Sequence, residues 1–315
     1  MAQVTNTFSR YASIGIRESL SEIIKNISPE ETPFQSNIRT ESVSNTYYEF
    51  QTDELAAAAA NSQIDGDDVS FSAITPTTRL GSYTQIMRKD FVLADSLEFI
   101  SAAGRKSELA FQLSKAGSEL KRDIEFNLLS NHGQAAGSNT VARKTRGLPS
   151  WIATNISTAS GGANATSATA ARTDGTQRAM SEAMLKSVIQ SCWDEGGKPD
   201  MVMVGGHVKT VISGFSGIAG TRFNVDGNKP ATIIGAADIY VSDFGNVTIV
   251  PNRFQRARDA FVLDADLCAV AVLRPMKQTK LAKTGDAEKR MVLWEGGLRV
   301  DQEKGIGAVF DLSTS

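Results

Sequence analysis

The stretch MVMVGGHVKT, residues 201–210, comes nearest in this chain to a phosphate-binding sequence. An apolar run, two glycines, and then Lys209 and Thr210 follow one another as they do in a nucleotide-binding loop. That loop requires the pattern G-x-x-x-x-G-K-[ST], in which backbone N–H groups surround the phosphates. Here Val208 precedes Lys209, and no glycine stands five positions before the lysine. Because the register is wrong, the sequence predicts no nucleotide site.

Histidine and cysteine are too few and too scattered for the common catalytic and metal sites. The chain has two histidines, His132 and His207, and two isolated cysteines, Cys192 and Cys268. A histidine metal site or a Ser-His-Asp triad needs a histidine in a convergent site, and the motifs G-x-S-x-G, H-E-x-x-H and G-x-G-x-x-G do not occur. We therefore expect no enzyme activity and no cofactor. The cysteines are predicted to be small buried apolar residues.

Three carboxylates are concentrated in the segment D-G-D-D at residues 65–68. A calcium-binding EF-hand needs a twelve-residue loop that ends in glutamate, and this segment lacks that spacing. A solvated or partner-facing acidic turn is therefore favoured over a metal site. Because no basic residue lies within residues 55–78, we expect Asp65, Asp67 and Asp68 to meet basic groups on another subunit.

A second charged segment precedes the last apolar runs of the chain. It could belong to an active-site loop, to a phosphate-binding loop, or to a surface that a subunit presents to its neighbour. Apolar alternation over residues 292–300 and 306–312, around a turn at residues 303–305, predicts two strands. We therefore expect a surface loop that leads into a hairpin and is available to a neighbouring subunit. Its charged residues are Lys283, Asp286, Glu288, Lys289 and Arg290.

The composition excludes several classes of protein. The chain has 315 residues, 41% of them apolar, which is enough for about two domains or one large elaborated domain. Its formal net charge is −2 and its isoelectric point is about 5.8, so it lacks the basic excess that is typical of nucleic-acid binders. We find neither a signal peptide nor an apolar stretch of about 18 residues, and so we expect no membrane segment.

The elements that position these charged segments can be predicted from periodicity. Apolar residues between 20 and 27 indicate a short amphipathic helix in an N-terminal arm, and residues 43–54 and 79–89 indicate two strands of one long hairpin with the acidic segment at its tip. Residues 92–131 carry the longest helical pattern, on the order of 50 Å. The long hairpin has two partly polar faces and cannot be stable alone in water, so we expect it to rest on another chain.

The second half of the chain mixes helices and strands without a regular alternation. Ser181 begins a predicted helix that ends at Gly196 and Gly197, and residues 199–206 follow as a buried strand. Two strands are expected to meet near residues 244–246, and residues 259–275 add two more. This order favours an α+β fold over a doubly wound sheet. Gly296 and Gly297, within a predicted strand, indicate a bulge or the close approach of another backbone.

The order of these elements resembles the major capsid proteins of tailed bacteriophages, which share the Hong Kong 97-type fold. That fold has an N-terminal arm, an extended hairpin loop, a long spine helix, a peripheral domain and an axial domain. The resemblance spans nearly the whole chain, and the arm and the last block carry its most specific features. The segments that carry it are FSRYASIGIRESLSEIIKNISPEETPFQSNI, DEGGKPDMVMV, DFGNVTIVPNRF and LAKTGDAEKRMVLWEGGLRVDQEKGIGAVFDL.

The resemblance implies a division of the chain by position. The peripheral domain is expected to combine the spine helix with the C-terminal strands, and the axial domain to surround the five-fold and quasi-six-fold centres. The implied segments are the arm (1–41), the extended loop (42–91), the spine helix with the first peripheral part (92–179), the axial domain (180–272) and the C-terminal peripheral strands (273–315).

The resemblance also implies a structural function, in which pentamers and hexamers of this chain form an icosahedral head around the phage DNA. The expected location is the virion, after assembly in the bacterial cytoplasm. The expected partners are other copies of the chain, a portal, a separate scaffold and decoration proteins, with weak non-specific contact to double-stranded DNA and none to membrane. The alternatives are an encapsulin-type compartment protein with the same fold and an unrecognised enzyme.

Overall fold

The computed structural model describes residues 30–68, 71, 73–99, 107–215 and 238–314. The predicted arm helix at residues 20–27 lies outside these ranges. The helices are α1 Pro33–Asn37, α2 Asp95–Phe99, α3 Glu108–Leu129, α4 Leu148–Trp151, α5 Glu182–Asp194 and α6 Gly206–Ser213. The strands are β1 Arg39–Ser42, β2 Tyr47–Thr52, β3 Thr78–Tyr83, β4 Gln85–Ala94, β5 Asn155–Ser157, β6 Met201–Val204, β7 Ile239–Ser242, β8 Gly245–Pro251, β9 Ala260–Leu263, β10 Cys268–Lys280, β11 Ala287–Val300 and β12 Gly307–Val309.

A four-stranded sheet and the long helix α3 form one half of the fold. The strand order is β1-β10-β11-β4, with β1 parallel to β10 and the other pairs antiparallel. The hydroxyl of Ser107 accepts a hydrogen bond from the backbone N–H of Ala110 and so caps the start of α3. Leu120, Ile124 and Leu128 recur every four residues on its buried face. They pack against the sheet with Met87 and Trp294 in one apolar core.

The predicted helix over residues 92–131 is too long. The strand β4 continues to Ala94, and α3 contains 22 residues, which corresponds to a length of about 33 Å. Exposed and half-buried residues alternate along β4 because one face of this strand lies toward α3. Residues 92–94 extend this period-two pattern, which the helical prediction overlooked.

The second half of the fold is a six-stranded sheet with the order β5-β12-β9-β6-β8-β7. Its central strands β6 and β9 are buried along their whole length, as expected for strands covered on both faces. The predicted helix after Ser181 is confirmed as α5, which packs Leu185, Val188, Ile189 and Cys192 into a second apolar core. Cys192 and Cys268 are both buried and free, as predicted.

The extended hairpin is confirmed, with a shorter first pairing than predicted. Strands β2 and β3 pair antiparallel from Tyr47 opposite Tyr83 to Thr52 opposite Thr78. At Thr84 the chain leaves this two-stranded sheet, and β4 joins the four-stranded sheet beside β11. The predicted strand at residues 79–89 is therefore two strands with different partners.

The predicted C-terminal hairpin is wrong. Strand β11 pairs with β10 and β4, whereas β12 lies between β5 and β9 in the other sheet. The turn at Glu303–Gly305 is a short 3-10 helix that carries the chain from one sheet to the next. The long hairpin at this end is instead formed by β10 and β11, and the charged segment lies at its tip.

Candidate intersubunit surfaces

The predicted extended loop (42–91) includes the strands β2 and β3, and from here on the name is used for residues 53–77 between them. This loop is exposed at every described position. Four large apolar side chains in it are almost fully accessible, with exposed fractions of 99% for Leu55, 77% for Ile64, 93% for Phe71 and 94% for Ile74. A monomer gains nothing from holding such side chains in water, since burying each contributes about 1.5–3 kcal/mol. The loop therefore has the character of a contact surface for another chain.

The acidic tip, defined as Asp65, Asp67 and Asp68, forms a tight turn at the end of this loop. Gly66 has φ of +84°, which glycine adopts without strain, and the N–H of Asp67 donates to the carbonyl of Ile64 at 3.2 Å. All three carboxylates are exposed, and the ion pairs within the described residues do not include them. The tip is thus a concentrated negative charge with no counter-charge from its own described surroundings.

The base of the extended loop is fixed firmly to the body. The hydroxyl of Tyr48 donates to the carbonyl of Leu298 at 2.7 Å in a buried position. Lys304 pairs with Glu54 at 2.7 Å and so holds the first residues of the loop against the 3-10 helix. These two contacts attach the base of the extended loop to the body of the same subunit.

Glu295 on β11 joins the same base to three other segments. Its buried carboxylate accepts hydrogen bonds from the Thr84 hydroxyl at 2.9 Å, from Arg143 at 2.6 Å and from Arg274 at 2.6 Å. Thr84 is the residue at which the chain passes from the hairpin to the four-stranded sheet. Charge-assisted bonds to this one carboxylate therefore link the start of β4 to β10 and to the loop that contains Arg143.

The charged segment at the tip of the β10–β11 hairpin is mostly paired within its own chain. Lys283 forms an ion pair with Asp95, and Arg290 donates from Nε to Glu288 at 2.6 Å. The hydrogen bond from Arg290 lowers the pKa of Glu288. Lys289 bonds to the hydroxyl of Thr284.

The predicted charges of this segment therefore do not converge on one pocket. Asp286 is exposed and makes no ion pair within the described part of the chain. Glu288, Lys289 and Arg290 belong to β11 itself, whereas the sequence placed them in a loop before the strand. They carry one negative and two positive charges on the outer part of the hairpin, and the exposed Asp286 is the residue of the segment that is open to a neighbour.

Sequence reasoning missed an exposed apolar edge on the six-stranded sheet. Strand β7 is the last strand of that sheet, with Ile239 and Val241 exposed by 60% and 75% on the face opposite the buried Tyr240. At its turn Phe244 stacks on Trp193 of α5, with ring centroids 5.1 Å apart. The alternation Ile-Tyr-Val was a strand signal, but which face would lie in water is decided by α5, which covers the other side.

Sequence reasoning also missed a cluster of buried charges near the C-terminus. Arg172 and Asp311 have side chains with no exposed surface and pair at 3.0 Å, and Arg258 reaches the same carboxylate at 3.0 Å. Burial raises the pKa of Asp311, but hydrogen bonds from Arg172 and from the N–H of Gly175 outweigh it and hold the pKa at about 2. The signal in the sequence was the run RFQRAR at residues 253–258.

The residues first considered for catalysis take structural roles. Lys209 pairs with Asp238 at 3.1 Å and donates to the carbonyl of Ile249 at 2.9 Å, so its ammonium group is engaged within the fold. His132 contacts the carbonyl of Asn127 at 3.0 Å, and burial lowers its pKa. Among the described residues, no group of three His, Cys, Asp or Glu side chains is arranged to hold a metal ion. The described helices also include none with the length and apolarity needed to cross a bilayer.

Comparison with known proteins identifies the family and the fold. A family model described as SU10 major capsid protein matches residues 2–313. A major capsid protein of Escherichia phage Phieco32 is 26% identical over 346 residues, covering 96% of each chain.

Solved structures of capsids match over nearly the full length at low identity. The capsid asymmetric unit of cyanophage A-1(L) gives a TM-score of 0.66 at 13% identity and covers 95% of this chain and 98% of the other. The capsid of a native GTA particle gives 0.63 at 10% identity, covering 96% and 98%. The fold is therefore the α+β Hong Kong 97-type fold, as the sequence predicted. The family match and the curated phage relative favour a phage head over an encapsulin-type compartment. The chain is a structural protein of the phage capsid and belongs to the SU10 major capsid protein family.

Proposed function

We propose that copies of this chain close into pentamers and hexamers in which each extended loop lies across the neighbouring subunit. The observation that supports the proposal is the exposure of every described residue within 53–77, with Leu55, Phe71 and Ile74 each more than nine-tenths accessible. Contacts of this kind join one patch to a different patch on the next copy, and such heterologous contacts close into rings. The chain acts in this proposal by assembly, without turnover of a substrate.

The proposed division of labour follows the two sheets. The four-stranded sheet with α3 forms the peripheral part, and the six-stranded sheet forms most of the axial part, near the ring centre. The apolar edge at Ile239 and Val241 then faces the next subunit of the same ring. The tip of the β10–β11 hairpin, with Lys283 and Asp286, is the part available to a neighbouring capsomer.

The proposal is tested by expressing the chain alone and together with candidate scaffold proteins from the same source. Light scattering after size-exclusion chromatography and negative-stain microscopy would report the assembly state. We expect rings of five or six subunits, or closed shells. A chain that stays monomeric at high concentration under both conditions would overturn the proposal.

The acidic tip provides a residue-level prediction of this proposal. Replacing Asp65, Asp67 and Asp68 together by Asn should leave the thermal unfolding of the unassembled chain unchanged, because the three side chains are exposed and unpaired. Shell yield or shell shape should change, since exposed ion pairs of about 0–1 kcal/mol each are repeated at every subunit. Normal shells at unchanged yield would contradict an intersubunit role.

The further partners in this proposal are a portal, a separate scaffold, decoration proteins and the packaged DNA, with assembly in the host cytoplasm. A related capsid from phage G, with a TM-score of 0.55, was determined together with decoration proteins. The net charge of −2 favours weak and non-specific contact with DNA. Co-purification of shells with each candidate protein, followed by mass spectrometry, would identify the partners that bind.

A further inference from the structure

The run RFQRAR forms a turn between β8 and β9 that brings basic side chains to one surface together with α3. The side-chain amide of Asn252 donates to Glu125 of α3 at 2.7 Å and fixes the turn against the helix. The guanidinium of Arg122, also on α3, lies over the ring of Phe254 at 5.4 Å from its centroid. The arginine patch, as we define it, consists of Arg122, Arg253, Arg256 and Arg258.

The inner half of the arginine patch already binds carboxylates. Arg256 and Arg258 both pair with Asp174, the latter at 3.3 Å, and Arg258 also pairs with Asp311 at 3.0 Å. Planar guanidinium groups match the geometry of carboxylates, which is why such pairs are recurrent in recognition surfaces. This half of the patch is therefore close to neutral.

The outer half of the patch has no such compensation. Arg253 is exposed and makes no ion pair with the described residues. Arg122 is half-buried, and its Nε–H has no hydrogen-bond partner among those residues. The acidic residues one turn from Arg122 on α3 are Glu119 and Glu125. Glu119 pairs with Lys115 at 3.9 Å, and the carboxylate of Glu125 accepts hydrogen bonds from Phe34, Gln35 and Asn252. Two positive charges thus remain open to an anionic partner.

The chain itself carries an anion that lacks a partner. The acidic tip has three exposed carboxylates, and residues 55–78 contain no basic residue. A loop of this length folded back on itself reaches on the order of 40 Å, enough to cross onto an adjacent subunit. Every subunit of a shell presents both surfaces. The same contact, repeated between neighbours, would therefore neutralise the negative tip and the positive patch of every copy.

We infer that the arginine patch is the docking site for the acidic tip of a neighbouring copy of this chain, with Arg122 and Arg253 contacting Asp65, Asp67 and Asp68. The inference rests on the proposed assembly and names the surface on which the extended loop ends. Phosphate groups of nucleic acid are the other anion that such a patch could bind. The chain's own unpaired tip and the carboxylates already bound by Arg256 and Arg258 favour the protein partner.

Charge reversal in both surfaces tests the pairing. The tip variant Asp65→Lys, Asp67→Lys, Asp68→Lys and the patch variant Arg122→Glu, Arg253→Glu should each lower shell yield by about tenfold, because a weak contact repeated over a shell acts multivalently. Combining all five substitutions should restore the yield. Thermal unfolding of each unassembled variant is measured alongside, and a yield that falls without a fall in melting temperature, and recovers in the combined variant, separates a docking defect from a folding defect.

Lys198 and Lys277 provide a matched control, since both are exposed, basic and without an ion pair in the described residues. Lys198→Glu with Lys277→Glu should fail to rescue the tip variant. Rescue by this control, or no rescue by the patch variant, would overturn the inference while wild-type shells still form. Normal shells of the patch variant that contain less DNA would also overturn it, and would assign the patch to nucleic acid.

A disulfide trap locates the contact directly. Shells that carry Asp67→Cys and Arg253→Cys should show linked chains on a non-reducing gel, and the two native cysteines, which are buried, should not contribute. Unassembled chain of the same variant should stay unlinked, because the pairing is between copies. A trap that forms no link in intact shells would contradict the docking site, whereas failure of the wild type to form shells would contradict the proposed function itself.

Discussion

The pair Arg172–Asp311 shows how a few buried charges hold the end of the chain. Both side chains have no exposed surface, and the ring of Phe310 lies 4.0 Å below the guanidinium of Arg172. Asp311 adopts φ of +63°, which is uncommon for a residue other than glycine. Its carboxylate also accepts from the N–H groups of Ala159 and Gly175, so the C-terminal segment is tied to the loop at residues 158–178.

Replacing Arg172 by Met is expected to destabilise the unassembled chain by about 3–5 kcal/mol, because it leaves the carboxylate of Asp311 buried without its main partner. The free energy of unfolding in urea measures the effect. Asp174→Asn is the matched control, since this carboxylate is one-third exposed and its loss should cost about 0–1 kcal/mol. Equal losses of unfolding free energy from the two substitutions would show that the buried pair contributes no more to stability than the partly exposed one.

Asp259 should make the stability depend on pH. Burial raises its pKa to about 7 against the smaller opposing effects of Arg256 and Arg172, whereas an unfolded aspartate ionises with a pKa of about 3.9. Between these values unfolding releases a proton, so this group's contribution to stability is full below about pH 4 and is lost as the pH rises to about 7. In Asp259→Asn this dependence should be absent.

The measurement is the difference in unfolding free energy between Asp259→Asn and the wild type from pH 4 to 8. As the pH rises, this difference should change in favour of the variant by about 1.4 kcal/mol for each unit by which the folded-state pKa of Asp259 exceeds its unfolded-state pKa. Above pH 7 it should level off. Both proteins share all other titrating groups, so most of their common pH dependence cancels in the difference. Parallel curves over the whole range would contradict a raised pKa.

At the scale of elements, the two glycines in β11 permit the close packing of the sheet against its surroundings. A Cβ at Gly296 would lie 2.5 Å from the carbonyl oxygen of Ala271 and 2.5 Å from the ring of Trp294. A Cβ at Gly297 would lie 2.7 Å from the hydroxyl of Tyr48 at the base of the extended loop. The expectation of close backbone approach at these positions is confirmed.

Gly296→Ala is expected to destabilise the chain by about 1–3 kcal/mol, because backbone and ring must both move to accept the methyl group. Gly117→Ala in α3 is the matched control. No atom lies within 4 Å of its added Cβ, and alanine is favoured over glycine in a helix, so a gain of about 0.5–1 kcal/mol is expected. Differential scanning calorimetry compares the two, and melting changes of the same sign would contradict the packing explanation.

At the scale of the whole molecule, the fold consists of a well-packed body and an extended loop whose described residues do not pack into it. Two apolar cores occupy the space around the two sheets, while the extended loop contributes to neither. Its base is fixed through Tyr48 and Thr84, and its apolar side chains lie in water. In the proposed assembly, contact with a neighbouring copy covers these side chains.

Leu55→Ser with Ile74→Ser should therefore impair assembly and leave the monomer intact. These side chains are exposed by 99% and 94%, so their replacement should shift the unfolding free energy of the unassembled chain by no more than about 0.5 kcal/mol. Shell yield, measured by sucrose-gradient sedimentation, should fall. Val141→Ser, at an exposed apolar residue outside the loop, is the control, and an equal loss of shells from it would contradict a specific role for the loop.

The sequence by itself determined the local elements and the class of the protein. Alternation over residues 292–300, the cap at Ser181 and the glycines at residues 196–197 act through neighbouring residues, and the corresponding strand and helix are present. The unpaired charge of the acidic tip was also visible, since it depends on composition alone. The blocks that carried the resemblance led to the family that the comparisons identify.

The tertiary structure decided which elements pair and which charges meet. Arg172 and Asp311 stand 139 positions apart, and no periodicity relates them. Strand β12 could have followed β11 as a hairpin, but β10 and β4 occupy both edges of β11, and so β12 pairs with β5 and β9. The backbone N–H and C=O groups along a strand edge can pair with any strand that reaches them. Which strand pairs with β11 is therefore decided only when the whole chain has folded.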